Sequence, residues 1–234
     1  MRALSGSETL TLWEHGSHRH PLDRALLALS FADPSTRASA ADWPLGRRNR
    51  ALLTLHAAWF RARLDAWAAC PKCGEKLEFE LNVRDLTEAE PERAEETTVT
   101  VDGQVFRLPT SRDLARAATS GSEREAAIRL LQICRVGGAE PSGWTDEIIE
   151  RAGQGLTNAD PMAETRVALT CPVCDHRWND SVDVASFIWA EVEARSRRLL
   201  WEVHALASAY GWSESETLSL SRERRAMYLE MVRL

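Results

Sequence analysis

Lysine is almost missing from this chain. Of its 29 basic residues only Lys72 and Lys76 are lysines, and the rest are arginines. An excess of positive charge is missing too: 35 acidic residues leave a formal net charge of −6. That balance disfavours nonspecific binding to nucleic acid, which needs a cationic surface. No apolar run approaches the ~20 residues that span a bilayer. The opening residues, Met1-Arg2-Ala3-Leu4-Ser5-Gly6, lack the apolar stretch of a secretory signal, so a cytoplasmic protein with no membrane partner is expected. There is no Gly-rich phosphate loop, no Gly-x-Ser-x-Gly elbow and no His-Glu-x-x-His. No carboxylate sits in a context that would desolvate it, so no catalytic residue is assigned and a non-enzyme is expected. Tyrosine and phenylalanine are sparse, at two and five, whereas nine tryptophans are many for 234 residues. Tryptophan fills cores but also anchors protein–protein contacts.

What the chain does have is two copies of one short motif, Cys70-Pro71-Lys72-Cys73-Gly74 and Cys171-Pro172-Val173-Cys174-Asp175. In each, two thiols two residues apart turn back over one point. Four thiolates in a tetrahedron are what Zn²⁺ prefers, so Cys70, Cys73, Cys171 and Cys174 are the candidate metal ligands of a split zinc ribbon. Such a closed site stabilises a fold and does no catalysis. The 97 residues between Cys73 and Cys171 are many for a ribbon. Closing that loop instead of one of ~15 residues costs only about 1.7 kcal/mol more, against roughly 10–16 kcal/mol of apparent binding energy for a structural zinc. Three other readings compete: disulfides, although nothing points to an oxidising compartment; a thioredoxin-like redox pair, although two pairs and no βαβ pattern disfavour it; and iron in place of zinc, since rubredoxin uses similar turns. The fifth cysteine, Cys134, lies on an apolar helical face and reads as a small buried residue.

Helical spacing is expected between Leu10 and Phe31, with Pro21 in a first turn and His15, His18 and His20 as loop or cap residues. A second helix is expected from about Arg47 to Ala69, with Leu52, Leu55, Trp59, Leu64 and Trp67 along its apolar stripe. Leu77, Phe79, Leu81 and Val83 alternate as a strand. An acidic linker covers residues 87–97. Val99 and Val101, Asp102-Gly103, and Val105 and Phe106 spell a hairpin. Thr110 or Ser111 caps a short helix, and Ser122 with Glu125 forms a capping box for a helix to Arg135 that Gly137-Gly138 ends. A short helix follows Thr145, and Val167 and Leu169 form a strand into the second motif. The longest helical pattern runs from Val184 to Tyr210, with Phe187, Ile188, Val192, Leu199, Val203 and Leu206 inward and Gly211 as its stop. Ser213 with Glu216, and Ser221, open two further helices, the last with Met227, Tyr228 and Met231 as its apolar residues. His56 and His204 read as partly buried structural residues. No internal repeat is expected beyond the two motifs.

The fold expected is therefore α+β and mostly helical. Its parts are an N-terminal helical region at 1–69, ribbon halves at 70–86 and 165–184, a small α/β insertion at 87–164 and a C-terminal helical hairpin at 185–234. Ala207, Gly211 and Leu218 approximate a helix-turn-helix, which makes a zinc-ribbon nucleic-acid-binding regulator the alternative function. Seven arginines against seven glutamates over residues 191–234 leave that tail neutral where a DNA reader is basic.

Several blocks together resemble the T4-like phage baseplate hub assembly chaperones, which contractile injection systems also encode. They are residues 20–27 (HPLDRALL), 45–50 (LGRRNR), 70–79 around Cys70-Pro71-x-Cys73-Gly74-Glu75, 106–114 (FRLPTSRDL), 171–178 around Cys171-Pro172-x-Cys174, and 201–213. The resemblance implies a cytosolic, non-enzymatic factor that binds the baseplate hub or other tail proteins, with the four cysteines as its metal-type ligands. Asp175 departs from the pattern by standing where a Gly often follows the second thiol. The working surface expected is an apolar face including Trp201 and Trp212, held in place by the zinc site.

Overall fold

The computed structural model describes residues 2–88, 98–138 and 143–232. The chain is mostly helical, with three small antiparallel sheets. Helix α1 (Gly6–Gly16) opens on a capping box, in which the Ser5 hydroxyl accepts from the Glu8 N–H while the Glu8 carboxylate accepts from the Ser5 N–H. Helix α2 (Pro21–Ala32) has Pro21 in its first turn and His20 as its N-cap. The helix expected to open at Pro21 is thus present, while Leu10 to Gly16, His15 included, belongs to a separate helix before it. Two short 3₁₀ turns then lead to α3 (Leu45–Trp59).

After α3 the chain departs from expectation. The helix stops at Trp59, and Arg63–Ala69 is strand β1, with Leu64, Ala66 and Ala68 buried and Arg63, Asp65, Trp67 and Ala69 exposed. Leu64 and Trp67 are three apart, which suits one face of a helix. In a strand, odd spacing puts them on opposite faces. Trp67 is accordingly 68% exposed and Leu64 1%. Strand β2 (Lys76–Asn82) returns antiparallel, and Val83, expected as its last residue, instead begins helix α4 (Val83–Glu88). The acidic linker lies outside the described residues except for Thr87 and Glu88, which end α4.

The insertion is a unit with its own core. Strands β3 (Thr98–Val101), β4 (Gln104–Arg107) and β5 (Arg135–Gly138) lie in the order β3-β4-β5, with helices α5 (Ser111–Ala117), α6 (Glu123–Cys134) and α7 (Asp146–Ala159). Asp102 and Gly103, both at positive φ, form the expected two-residue turn. Phe106, Leu131, Cys134, Ala152 and Leu156 fill the core, where Cys134 is wholly buried as expected. Two local readings need correction. Gly137 and Gly138 do not end a helix, because α6 stops at Cys134 and both glycines belong to β5, paired with β4. Ser122 does cap α6, but the Glu125 carboxylate accepts from the Gly121 N–H, so the box is not closed.

Strands β6 (Thr165–Thr170) and β7 (Arg177–Val182) form a second hairpin, followed by α8 (Val184–Tyr210), which Gly211 terminates in the left-handed conformation. Short helices α9 (Glu214–Ser219) and α10 (Arg222–Val232) fold back on α8 as a helical hairpin. Within α10 the buried residues are Arg225 and Leu229. Met227 and Met231, two of the apolar residues expected along it, are 60% and 56% exposed. No helix among the described residues is long and apolar enough to cross a membrane.

The two hairpins reveal a repeat that extends beyond the cysteine motifs. At an offset of 101 positions, β1 falls on β6, β2 on β7, and each cysteine on its counterpart. Asn82 and Asp183 each accept a backbone N–H from two residues onward, from Arg84 and Ala185, at the start of the following helix. Val83 and Val184 then enter one shared core, with Leu86 and Phe187 packed against it. Little side-chain identity survives outside these positions, which is why the sequence alone shows two turns and not two longer units.

Candidate metal centre

Each hairpin ends in the same turn. The Cys70 N–H donates to the Glu75 carbonyl at 2.8 Å and the Gly74 N–H to the Cys70 carbonyl at 2.9 Å. In the second hairpin, Cys171 donates to His176 at 2.9 Å and Asp175 to Cys171 at 3.0 Å. Both turns need positive φ just after the second thiol, 77° at Gly74 and 54° at Asp175. Glycine adopts this freely, and aspartate is among the few side chains that tolerate it. Asp175 therefore keeps the turn and removes no ligand.

One helix holds both hairpins in place. The C-terminal end of α3 feeds β1 through residues 60–62, where the Val83 N–H donates to the Ala62 carbonyl at 2.9 Å and closes the base of the first hairpin. The N-terminal end of α3 grips the segment that enters β6. The Gly46 N–H donates to the Asp160 carboxylate at 2.8 Å, and the Asn49 amide donates to the carbonyls of Met162 and Ala163 at 2.9 and 3.1 Å. The buried Arg48 guanidinium donates to Oδ1 of the Asn49 side chain and to the Ser111 hydroxyl, tying in the insertion. Burial is the main influence on both charged members, lowering the Arg48 pKa and raising that of Asp160. This joint was not assigned from the sequence. Its only signal was the block at 45–50, whose partners at Asp160, Met162 and Ala163 lie more than a hundred residues away.

With the hairpins so placed, the Sγ atoms of Cys70, Cys73, Cys171 and Cys174 all lie within 4.8 Å of one another. Cys70 approaches Cys174 at 3.7 Å and Cys73 approaches Cys171 at 3.6 Å. All four are free thiols, since bonded sulfurs stand only ~2.05 Å apart. Sulfurs around one ion at tetrahedral corners with 2.3 Å bonds are about 3.8 Å apart. Donor type, number and spacing thus fit one four-coordinate ion, and the cluster could hold a metal such as zinc. Cys70 and Cys171 are buried, Cys174 half-buried and Cys73 exposed.

The electrostatics favour a cation. Burial works to raise the Cys70 pKa, but the N–H groups of Cys73 and Lys72 outweigh it and bring the thiol down to about 7. The Glu75 N–H works to lower Cys73, but burial and the neighbouring sulfurs push it up to about 12. Without an ion, the cluster accommodates one thiolate far more readily than several. A divalent cation relieves that repulsion, so metal uptake releases protons and weakens in acid.

The other singled-out residues lie elsewhere. His20 caps α2, and neither His15 nor His18 joins the thiols. His204 is exposed, against the partly buried position expected, whereas His56 is 1% exposed, with Nδ1 3.0 Å from the Arg61 carbonyl. Trp201 is 47% exposed, but Trp212 stacks on Tyr210 at 4.8 Å and meets Tyr228 edge-on. Comparison of the chain with protein-family models, with curated proteins and with solved structures gives no match.

Proposed function

We propose that the four cysteines bind one Zn²⁺, completing a split zinc ribbon, and that the protein is a non-enzymatic assembly factor for the baseplate hub of a phage-like contractile tail or injection system. The observation that carries the metal reading is the convergence of four thiols from two like turns, at separations suited to a tetrahedral ion. Purified protein is expected to contain about one zinc per chain, and Cys171→Ser to release it. Iron in its place would colour the protein and overturn the choice of ion.

The assembly role rests on the resemblance of the sequence blocks. Two of them, residues 45–50 and 106–114, meet in space: the Leu45 N–H donates to the Pro109 carbonyl at 3.0 Å, and Arg48 reaches Ser111. Their shared pattern thus has a structural use, holding the insertion to the helix that organises the metal centre. The binding face is placed on the C-terminal hairpin, where Trp201, Met227 and Met231 are exposed. Capture of tail proteins by the wild type is the test. Trp201→Ala with Met231→Ala is expected to weaken capture by about 30-fold if both contribute as anchors. Undiminished capture removes this face from the proposal. Capture of nucleic acid that collapses as salt rises would favour the regulator instead.

A further inference from the structure

We propose that the four thiols form a staple with two chemical states: bridged by an ion, and, after oxidation by hydrogen peroxide, closed by two disulfides that cross between the hairpins, Cys70–Cys174 and Cys73–Cys171. The inference rests on the metal reading above and adds a regulatory state to the same site.

Geometry selects the crossed pairs. The two sulfur contacts at 3.7 and 3.6 Å both run from one turn to the other. Contraction by about 1.6 Å brings such a pair to bonding distance, which side-chain rotation about Cβ supplies. The backbone of each turn is held by its own hydrogen bonds, and α3 ties the bases of both hairpins, so the sulfurs stand as neighbours when the oxidant arrives. Each crossed pair also joins one accessible thiol to one buried one: Cys73 is exposed and Cys171 buried, while Cys174 is half-buried and Cys70 buried. The oxidant reaches the outer member, and the inner member stands beside it to resolve the product.

The chemistry balances. In the ion-bridged state the four sulfurs are thiolates; that of Cys73 attacks one oxygen of peroxide, the O–O bond breaks, and hydroxide takes a proton and leaves as water. The Cys171 thiolate then attacks the sulfenic sulfur, the S–S bond forms, the S–O bond breaks and a second water leaves. Two thiols lose two electrons and one peroxide accepts them. Repetition at Cys174 and Cys70 consumes a second peroxide and removes the last thiolates from the ion, which is released. Cys134 lies in the separate core of the insertion, fully buried, with burial pushing its thiol up to about 11, and it does not compete.

The only two lysines in the chain make the products readable. Trypsin cuts after Lys72 and so separates Cys70, in peptide 64–72, from Cys73, in peptide 73–76, whereas Cys171 and Cys174 remain together in peptide 167–177. Full-length protein is assayed for bound metal, treated with peroxide, alkylated and digested without reductant. The expected product joins all three peptides and appears together with loss of the ion, while Cys134 is recovered alkylated in its own peptide, 130–135. Fragmentation between Cys171 and Cys174 assigns the pairs. A product joining 64–72 to 73–76 alone, beside a 167–177 peptide closed on itself, overturns the staple, as do sulfinic or sulfonic acids in place of disulfides. In Cys73→Ser, peptide 64–72 is expected to remain joined to 167–177 through Cys70 and Cys174. Closure of Cys171 on Cys174 there also overturns it. The metal assay separates the two readings. A chain that binds an ion but oxidises within its turns loses only the staple. A chain that binds none loses the metal reading, and the same peptide map still decides the crossing.

Discussion

A side chain at position 46 has no room. A Cβ built on Gly46 stands 1.8 Å from Oδ1 of Asp160 and 3.0 Å from Cβ of Met162. Both belong to the segment that enters the second hairpin, so they can move aside only by breaking the joint. Gly46→Ala is expected to destabilise the fold by about 2 kcal/mol, as overpacking of a filled site does. Gly153 supplies the control, since it lies within α7 with nothing within 4 Å of the added carbon. Gly153→Ala is expected to stabilise by up to about 1 kcal/mol through helix propensity. Paired thermal melts check both, and equal effects would mean the Asp160 contact is not a constraint. Charge acts as locally at Glu8. Hydrogen bonds from Arg2 and from the Ser5 N–H outweigh burial and lower its pKa to about 2. A carboxylate whose folded pKa is depressed contributes stability above its unfolded pKa and loses it as pH falls through the folded one. The window therefore runs from about 4.5 down to about 2. Melts of Glu8→Gln are expected to lie below the wild type at neutral pH and to converge with it by the bottom of that window.

Elements were legible where their signals are local. Thr110, Ser213 and Ser221 cap helices as the sequence implies, because a cap needs only residues three apart. Gly211 stops α8 for the same reason. Strand β1 was misread because Leu64 and Trp67 satisfy helical spacing, and only pairing with β2 reveals the alternation. Strand β7 was not foreseen, since its inward residues include Asp180 among Trp178 and Val182. The thiol cluster was legible at long range because its chemistry leaves few alternatives for four cysteines in two like motifs. The joint at Asp160 was not, because an aspartate at a helix end has many uses. Nor was the contact that fixes the C-terminal hairpin: Arg225 and Glu202, both buried, pair at 2.9 Å between α10 and α8, and Arg198 reaches the second Glu202 oxygen at 3.0 Å. Removing Arg225 leaves the buried Glu202 carboxylate with only the exposed Arg198 as a partner, so Arg225→Met is expected to cost about 3 kcal/mol. Adding Glu202→Leu should recover most of that loss, because two apolar groups leave no uncompensated charge. A double mutant no more stable than the Arg225→Met single mutant would show that the pair contributes through its geometry and not through burial of charge.

At the scale of the molecule, two apolar cores exist without the metal. One is formed by α1, α2, α3 and α8 around Leu12, Leu52, Leu55, Ile188 and Val192, the other by the insertion around Phe106. Helix α8 alone runs 27 residues and carries its own N-cap at Asp183 and C-cap at Gly211. An ion held by the four thiols would, by contrast, join the tips of two hairpins, β1–β2 and β6–β7, which are pairs of strands in separate sheets. A two-stranded hairpin is marginal by itself. Metal removal is therefore expected to act unevenly. A strong chelator at neutral pH should lower the melting temperature by roughly 10–20 °C, as a loss of about 5 kcal/mol does in a chain of this size. The far-UV helical signal at room temperature should remain. Hydrogen exchange should accelerate over residues 63–82 and 165–182 while the inner face of α8 stays protected. Collapse of the helical signal on chelation would contradict this division, and would mean that the ion organises the helical core and not merely the hairpins attached to it.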